Sequence, residues 1–342
     1  MIYFNLLIIF LIIVFIHEFG HYIVARIFKA EVSEFSIGFG KAIYKFKDKN
    51  NTTWKISPIP LGGFVKIKGL DSVFTKKFSE EEGSFQSLTL FQKIAVLLAG
   101  SLFNIISAWI VLFCIFFFFG IASFSPIIGS VLENSAASKH DLRVNDKIIS
   151  INNLNIKEFS DIPEAIGNEQ FVRVLIERNN SLIQKEFNLL FNSELNKYVI
   201  GISSTNDPII IKYNFNKSFV NSIYFIPRYY SAALFFLKKS YEESTLSNQL
   251  AGPIGIVKMA DQMMLDQVKG VLFLFIVISL FVGLFNLLPI PLLDGGHILY
   301  FIVSKIFSNS LPEYITRIYL AIGITIISFL FIVVTFNDIF YK

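Results

Sequence analysis

FIHEFGHYIVAR, residues 15–26, decides how this chain is read. It closes the uncharged run IYFNLLIIFLIIVFI (2–16), whose length and composition suit a helix in lipid. Two histidines and a glutamate then fall within five positions. Ionisable groups at membrane depth cost about 3 kcal/mol each unless they are paired or used. In a helix, His17 and His21 share one face, one turn apart, which is the spacing for two imidazole ligands on one zinc ion. Glu18 stands beside them where a general base would take a proton from water. The competing reading is a set of structural polar contacts, but only four histidines occur in the chain, so HExxH is rare by chance.

Zinc in a catalytic site takes three protein ligands and keeps one position open. HYIVARIF (21–28) supplies no third ligand, so it must come from elsewhere at the same depth. NLLPIPLLDGGH (286–297) offers Asp294, a carboxylate set in an apolar run. Pro289 and Pro291 break the helical ladder before it, and Gly295–Gly296 follow. Irregular backbone at membrane depth must line a cavity or be buried in protein. Its free carbonyls and amides, with the Asn286 side chain, suit an extended peptide. A kinked helix with an Asp cap is the alternative, and His297 falls just past the site.

The rest of the chain fits a membrane protein. Of 342 residues 54% are hydrophobic and 39 are Phe, with a mean hydropathy of +0.59. Cys114 is the single cysteine, which excludes a disulfide framework and a Cys-based zinc site. A net charge of +4 gives no argument for nucleic acid. The first apolar stretch lacks a basic leader and reads as a retained helix. Four runs are long enough to span, roughly 3–28, 91–119, 271–293 and 313–336. Twelve Lys or Arg lie between Arg26 and Lys93, so this region is expected in the cytoplasm. Both termini and residues 120–270 then fall outside, and the first and third spans run the same way. That count puts His17, His21 and Asp294 at matching depth.

Between the spans, IIGSV, KIISI, FVRVLIER and YVIGIS (within 126–203) read as short strands, with EFSDIPEAIGN as one packed helix. This predicts one β-rich module over 121–208. Residues 209–270 are expected as a juxtamembrane amphipathic segment. In it, 219–237 is a helix on the outer membrane surface, interrupted at Pro227–Arg228. GFGKAIYKFK and TTWKISPI flank DKNN, a hairpin signal within a cytoplasmic-side, re-entrant segment at 30–90. Its lysines could simply hold it on the anionic inner leaflet. The sharper expectation is an edge strand offered to substrate, with Gly38, Gly40, Gly62 and Gly63 allowing close approach of a peptide backbone.

HEFGH, FSIGFGK…IPLGGFVKI, FQKIAVLLAGSLFN, AGPIGI and NLLPIPLLDGGH together resemble the site-2 protease family of intramembrane zinc metalloproteases. Within it the chain is similar to the regulator-of-sigma-E branch. The resemblance implies one Zn2+ on His17, His21 and Asp294, with Glu18 catalytic. Asn286, Pro289 and Pro291 would shape a substrate groove, and the middle module would be an extracytoplasmic PDZ domain that contacts substrate. The implied fold class is an α-helical polytopic membrane protein of about four transmembrane helices, with a membrane-associated β-hairpin and one inserted PDZ-like α+β domain. The implied partners are single-span membrane proteins, an anti-sigma factor or signal-peptide remnants, in a bacterial inner membrane. The chain departs from the pattern in carrying one such module, in Gly100–Ser101 where AGP is usual, and in HDLRVND (140–146) where a Gly-rich turn is common. A cation transporter, a silent adaptor and a zinc protease of soluble substrates are the rival classes.

Overall fold

The computed structural model describes residues 2–70, 81–192, 197–205, 208–242, 257, 267–307 and 311–340. AGPIGI (251–256) lies outside them. Two compact units divide the chain, one of residues 1–115 with 216–342, the other of residues 116–215.

The first unit is mostly helical. Helix α1 covers Ile2–Ile27, α2 Leu90–Cys114, α3 Phe215–Glu242, α4 Gln267–Phe285, α5 Asp294–Ile306 and α6 Glu313–Phe340. Four stretches are long and apolar enough to cross a membrane: Tyr3–Ile27, Leu90–Phe119, Val268–Phe285 and Glu313–Ile339. The chain is therefore a polytopic membrane protein. Helix α2 starts at a capping box, in which Thr89 Oγ1 accepts from Gln92 N and the Gln92 side chain accepts from Thr89 N.

Small residues set the helix seams. A Cβ on Gly20 would fall 2.6 Å from Ala99 O, so the backbones of α1 and α2 approach each other closely there. Gly283 sits against Ser101 O, and Ser279 Oγ donates to Asn104 O at 2.9 Å. These contacts pair rising numbers on α1 and α4 with falling numbers on α2. Helix α2 thus runs against both, and α1 and α4 share a direction.

Two expectations need correction here. The third span was read to residue 293, but helix α4 stops at Phe285, and 286–293 are irregular up to Asp294. Two prolines and a left-handed Leu292 (φ +80°) prevent continuation. Pro227, read as an interruption, lies inside the unbroken helix α3. Its ring removes one backbone hydrogen bond, while Tyr230 anchors the next turn by donating to Leu280 O at 3.0 Å.

A four-stranded sheet in order β2-β3-β1-β4 packs on α1, with β1 at Val32–Phe39, β2 at Tyr44–Lys47, β3 at Thr53–Ile56 and β4 at Ile59–Ile67. The expected hairpin is β2–β3. Sequence reading missed that β1 pairs parallel to β3 and antiparallel to β4. Phe46, Trp54 and Phe35 stack in succession, and Tyr22 of α1 meets Trp54 and Phe35 edge-on. Asp48, in the hairpin turn, accepts from Trp54 Nε1, Tyr22 Oη and the Asn50 and Thr52 amides. We expect Asp48→Ala to speed amide exchange across 44–56 about tenfold, the equivalent of one good hydrogen bond. Exchange in α1 should not change, and mass spectrometry would read both.

The second unit is β-rich. Its main sheet joins Ser181–Asn188, Phe171–Arg178, Lys147–Ile151 and Leu154–Asn155 in that order. Two short helices, Ala136–Lys139 and Ile162–Ile166, pack on a core of Ile128, Ile148, Ile151, Val172, Val174 and Ile176. YVIGIS forms two short strands, Lys197–Val199 and Ile202–Ser204. In HDLRVND, Asn145 takes φ +72°, as Asn tolerates. Asp146 is buried there and grips Arg178 through both carboxylate oxygens at 2.7 and 2.8 Å. Burial pushes the Asp146 carboxyl up, but Arg178 and the Arg143 amide outweigh it and hold it low. Asp141, bonded to Arg143 and Arg178, is pulled down to about 2. Both contribute stability that is complete above the unfolded carboxylate pKa of about 3.9 and lost as pH falls through the folded values. Arg178→Ala should destabilise this unit by about 3 kcal/mol by stranding Asp146. Its exchange-protected strands 147–151 and 171–178 would report the loss at pH 7, and the gap to wild type should close toward pH 2.

Candidate metal centre

Helix α1 carries His17 and His21 on the face turned to α2, while Phe15, Phe19 and Tyr22 occupy the opposite face toward the sheet. Asp294 is the first residue of α5, just after the N-cap Leu293, and its Oδ2 is not spent on a hydrogen bond. The irregular 286–293 segment folds back to deliver it. Gly295 N donates to Asn286 O at 2.8 Å, and a Cβ on Gly295 or Gly296 would strike the carbonyls of Leu287 or Ile290. Tyr319 of α6 ties the turn down by donating to Gly296 O at 2.7 Å.

These elements bring His17 Nε2, His21 Nε2 and Asp294 Oδ2 into one triangle. Its edges are 3.3 Å between the two imidazoles, 3.3 Å from His17 to Asp294 and 3.5 Å from His21 to Asp294. Tetrahedral coordination with bonds of about 2.0–2.1 Å separates ligand atoms by about 3.3–3.4 Å, so the triangle is the size zinc requires. Among the described residues these three form the cluster able to hold a metal ion. Asp294 Oδ2 is buried and receives no hydrogen bond there. His21 Nδ1 is 2.8 Å from Val96 O, which fixes the proton on Nδ1 and leaves the Nε2 lone pair facing the carboxylate. Two imidazole nitrogens and an unpartnered carboxylate oxygen converging at these distances call for a cation.

Glu18 lies outside the triangle, turned to β4. Gly63 approaches its side chain, since a Cβ there would be 3.2 Å from Glu18 Cγ, and the Val65 backbone hydrogen-bonds the carboxylate. The other candidate glycines differ. Gly38 (φ +84°) faces the protein's own Ser57 and Ile59 carbonyls, and Gly62 (φ +142°) faces the Phe39 ring. Gly40 (φ +103°) has room around it. Asn286 is half-buried at the end of α4, Pro289 is exposed, and Pro291 is buried against Gly323 of α6. His297 lies one turn past Asp294, outside the triangle.

Sequence reasoning missed three contributors, all on α2. Val96 acts through its carbonyl, which no side-chain pattern reveals. Asn104 lies 3.3 Å from His17 Nδ1. Gly100 leaves the space both imidazoles fill, since a Cβ there would lie 2.4 Å from His21 Nε2 and 2.7 Å from His17 Cε1. The signal available was a lone Asn one turn after a Gly inside an apolar span.

A helix-borne HExxH with a carboxylate from a distant helix defines a zinc-dependent hydrolase embedded among spanning helices. The profile of Peptidase family M50 matches residues 5–330. The chain is 35% identical to a protein of Rickettsia conorii over 96% of this chain and 95% of that one. It is 34% identical to one of Helicobacter pylori (96% of each) and 31% identical to one of Campylobacter jejuni (96% and 90%). Each of the three carries the name "Putative zinc metalloprotease". The chain belongs to peptidase family M50, the site-2 protease family, and is a zinc metalloprotease.

Proposed function

We propose that this protein is an intramembrane endopeptidase that cuts single-span membrane proteins near their cytoplasmic side, with His17, His21 and Asp294 as zinc ligands and Glu18 as general base. The observation that carries it is the position of the ligand triangle. Two of its members lie inside the spanning helix α1, and the third is reached from the spanning helix α4 through the irregular segment 286–293. A soluble polypeptide has no route to such a depth, whereas a membrane-spanning one is already there. Zinc, when bound, supplies a Lewis acid that acidifies water and polarises a carbonyl. Glu18 takes the proton of the attacking water on its carboxylate and passes it to the departing amine. Asp294 and the two imidazoles hold their places through Val96 O and the 286–293 turn.

A helical substrate shields its peptide bonds, so it must be unwound first. Among the described residues strand β4 pairs with β1 along one edge only, and it passes over Glu18 at Gly63. Its other edge can take an extended substrate as an added strand, which fixes register at the site. The irregular segment with Asn286, Pro289 and Pro291 forms the facing wall. Gly38, Gly40 and Gly62 shape the sheet that carries this edge. We assign the cytoplasm to the sheet side and the extracytoplasmic face to the second unit, read as a PDZ-like domain that meets the outer part of substrate. The substrates fitting this scheme are trimmed anti-sigma-type proteins and signal-peptide remnants in a bacterial inner membrane, in regulated intramembrane proteolysis.

Mapping the cut by mass spectrometry on a single-span substrate with a shortened outer domain tests this. Cleavage inside the span is expected. Cleavage only in soluble flanking sequence would overturn the reading.

A further inference from the structure

We infer that Asn104 is the positioning residue that sets the tautomer of His17, doing for that imidazole what the Val96 carbonyl does for His21. The inference rests on His17 being a zinc ligand. Asn104 is fully buried on α2, with its side-chain nitrogen Nδ2 placed 3.3 Å from His17 Nδ1. Its Oδ1 is buried with no hydrogen-bond partner. The two ends of a side-chain amide are interchangeable in shape, and the network around them decides which faces where. A ligating imidazole must present a bare Nε2 and so carries its proton on Nδ1. With the amide oxygen turned to His17, that N–H gains an acceptor and Oδ1 gains its donor. One rotation satisfies both, and it leaves Nε2 aimed at Asp294 Oδ2 across 3.3 Å.

The backbone holds Asn104 at the right height. Its carbonyl accepts from Ser107 Oγ at 2.8 Å and from Ser279 Oγ of α4 at 2.9 Å. Gly283 of α4 faces it closely, since a Cβ there would lie 3.6 Å from Asn104 Cβ. Asn104 is thereby bonded to α4, the helix whose end leads to Asp294, as well as to the α1 ligand. It sits one turn after Gly100, whose missing side chain admits both imidazoles. The two positions act together, one making room and the other aiming.

The test measures zinc affinity by competition with a chromophoric chelator, and the visible spectrum of the cobalt-substituted protein, on the full chain in detergent. Asn104→Leu keeps the bulk and removes the acceptor. It should weaken zinc 10- to 100-fold, the usual cost of losing such a partner, and should alter the cobalt bands. Asn104→Asp keeps an oxygen at that point and should hold zinc within a few-fold of wild type. Should Asn104→Leu not fold, Asn104→Ser serves, since its hydroxyl is too short to reach Nδ1 and a loss of about tenfold is expected. Wild-type affinity and an unchanged cobalt spectrum in the folded Leu or Ser variant would overturn the inference. A His17→Ala control separates the two levels: if it too binds zinc like wild type, it is the ligand set that fails.

Discussion

Glu18→Gln is expected to keep its zinc and lose about 10³-fold in cleavage rate, within the range spanned by general bases. Glutamine has the shape of glutamate but cannot accept the proton that water must shed. Glu18 stands outside the triangle of ligand atoms, on the side of β4, so its neutralisation removes no ligand. Metal content by atomic emission and cleavage of a single-span substrate, measured on the same preparation, decide the matter. His17→Ala should lose both together. Zinc lost from Glu18→Gln to the same degree would mean the carboxylate serves the metal rather than the water. Unimpaired cleavage would remove Glu18 from the chemistry.

Gly100→Ala is the second large effect, and its sign makes it informative. In an exposed helix, alanine for glycine stabilises by about 1 kcal/mol. Here the added methyl would lie 2.4 Å from His21 Nε2 and 2.7 Å from the Cε1 atoms of both histidines. Carbon does not come that close to any atom it is not bonded to, so either α1 moves away from α2 or the rings leave the triangle. Both outcomes dismantle the centre. Zinc affinity should fall at least 100-fold and cleavage below about 1% of wild type, since a site misplaced by 1 Å already loses about 10²-fold. Gly283→Ala, whose methyl would meet Ile105 Cγ1 at 3.0 Å and Ser101 O at 3.1 Å, should weaken zinc no more than a few-fold. Equal effects at the two glycines would refute the packing argument.

Much of this architecture could be read from the residues because it depends on local rules. The spans follow from charge-free length. The hairpin follows from alternation around DKNN, and the break before Asp294 from Pro289 and Pro291. His17, His21 and Asp294 were legible because ionisable groups in apolar runs require a use. What escaped was non-local. Pairing of β1 with β3 and β4 joins segments whose own patterns do not name their partners. Pro227 sits inside α3, a helix held to α4 one turn on by the Tyr230 hydroxyl on Leu280 O. The last eight residues of the third apolar run look like helix by hydropathy, while their backbone is committed to folding back on Gly295. Val96 and Asn104 support the histidines from across a helix seam, and only the seam's geometry selects them. Glycine was legible as closeness, yet its partner was not, so Gly38 faces its own sheet and Gly63 faces Glu18.

The order in which the ligands occur along the chain has a consequence for biosynthesis. His17 and His21 leave the ribosome before the second unit is made, and Asp294 follows only after that unit and helix α4. On the proposed ligand set, a nascent or prematurely ended chain holds two imidazoles and no third donor. Hydrolytic competence therefore arrives no earlier than the synthesis of Asp294, and copies that stop before it are harmless to the helices around them.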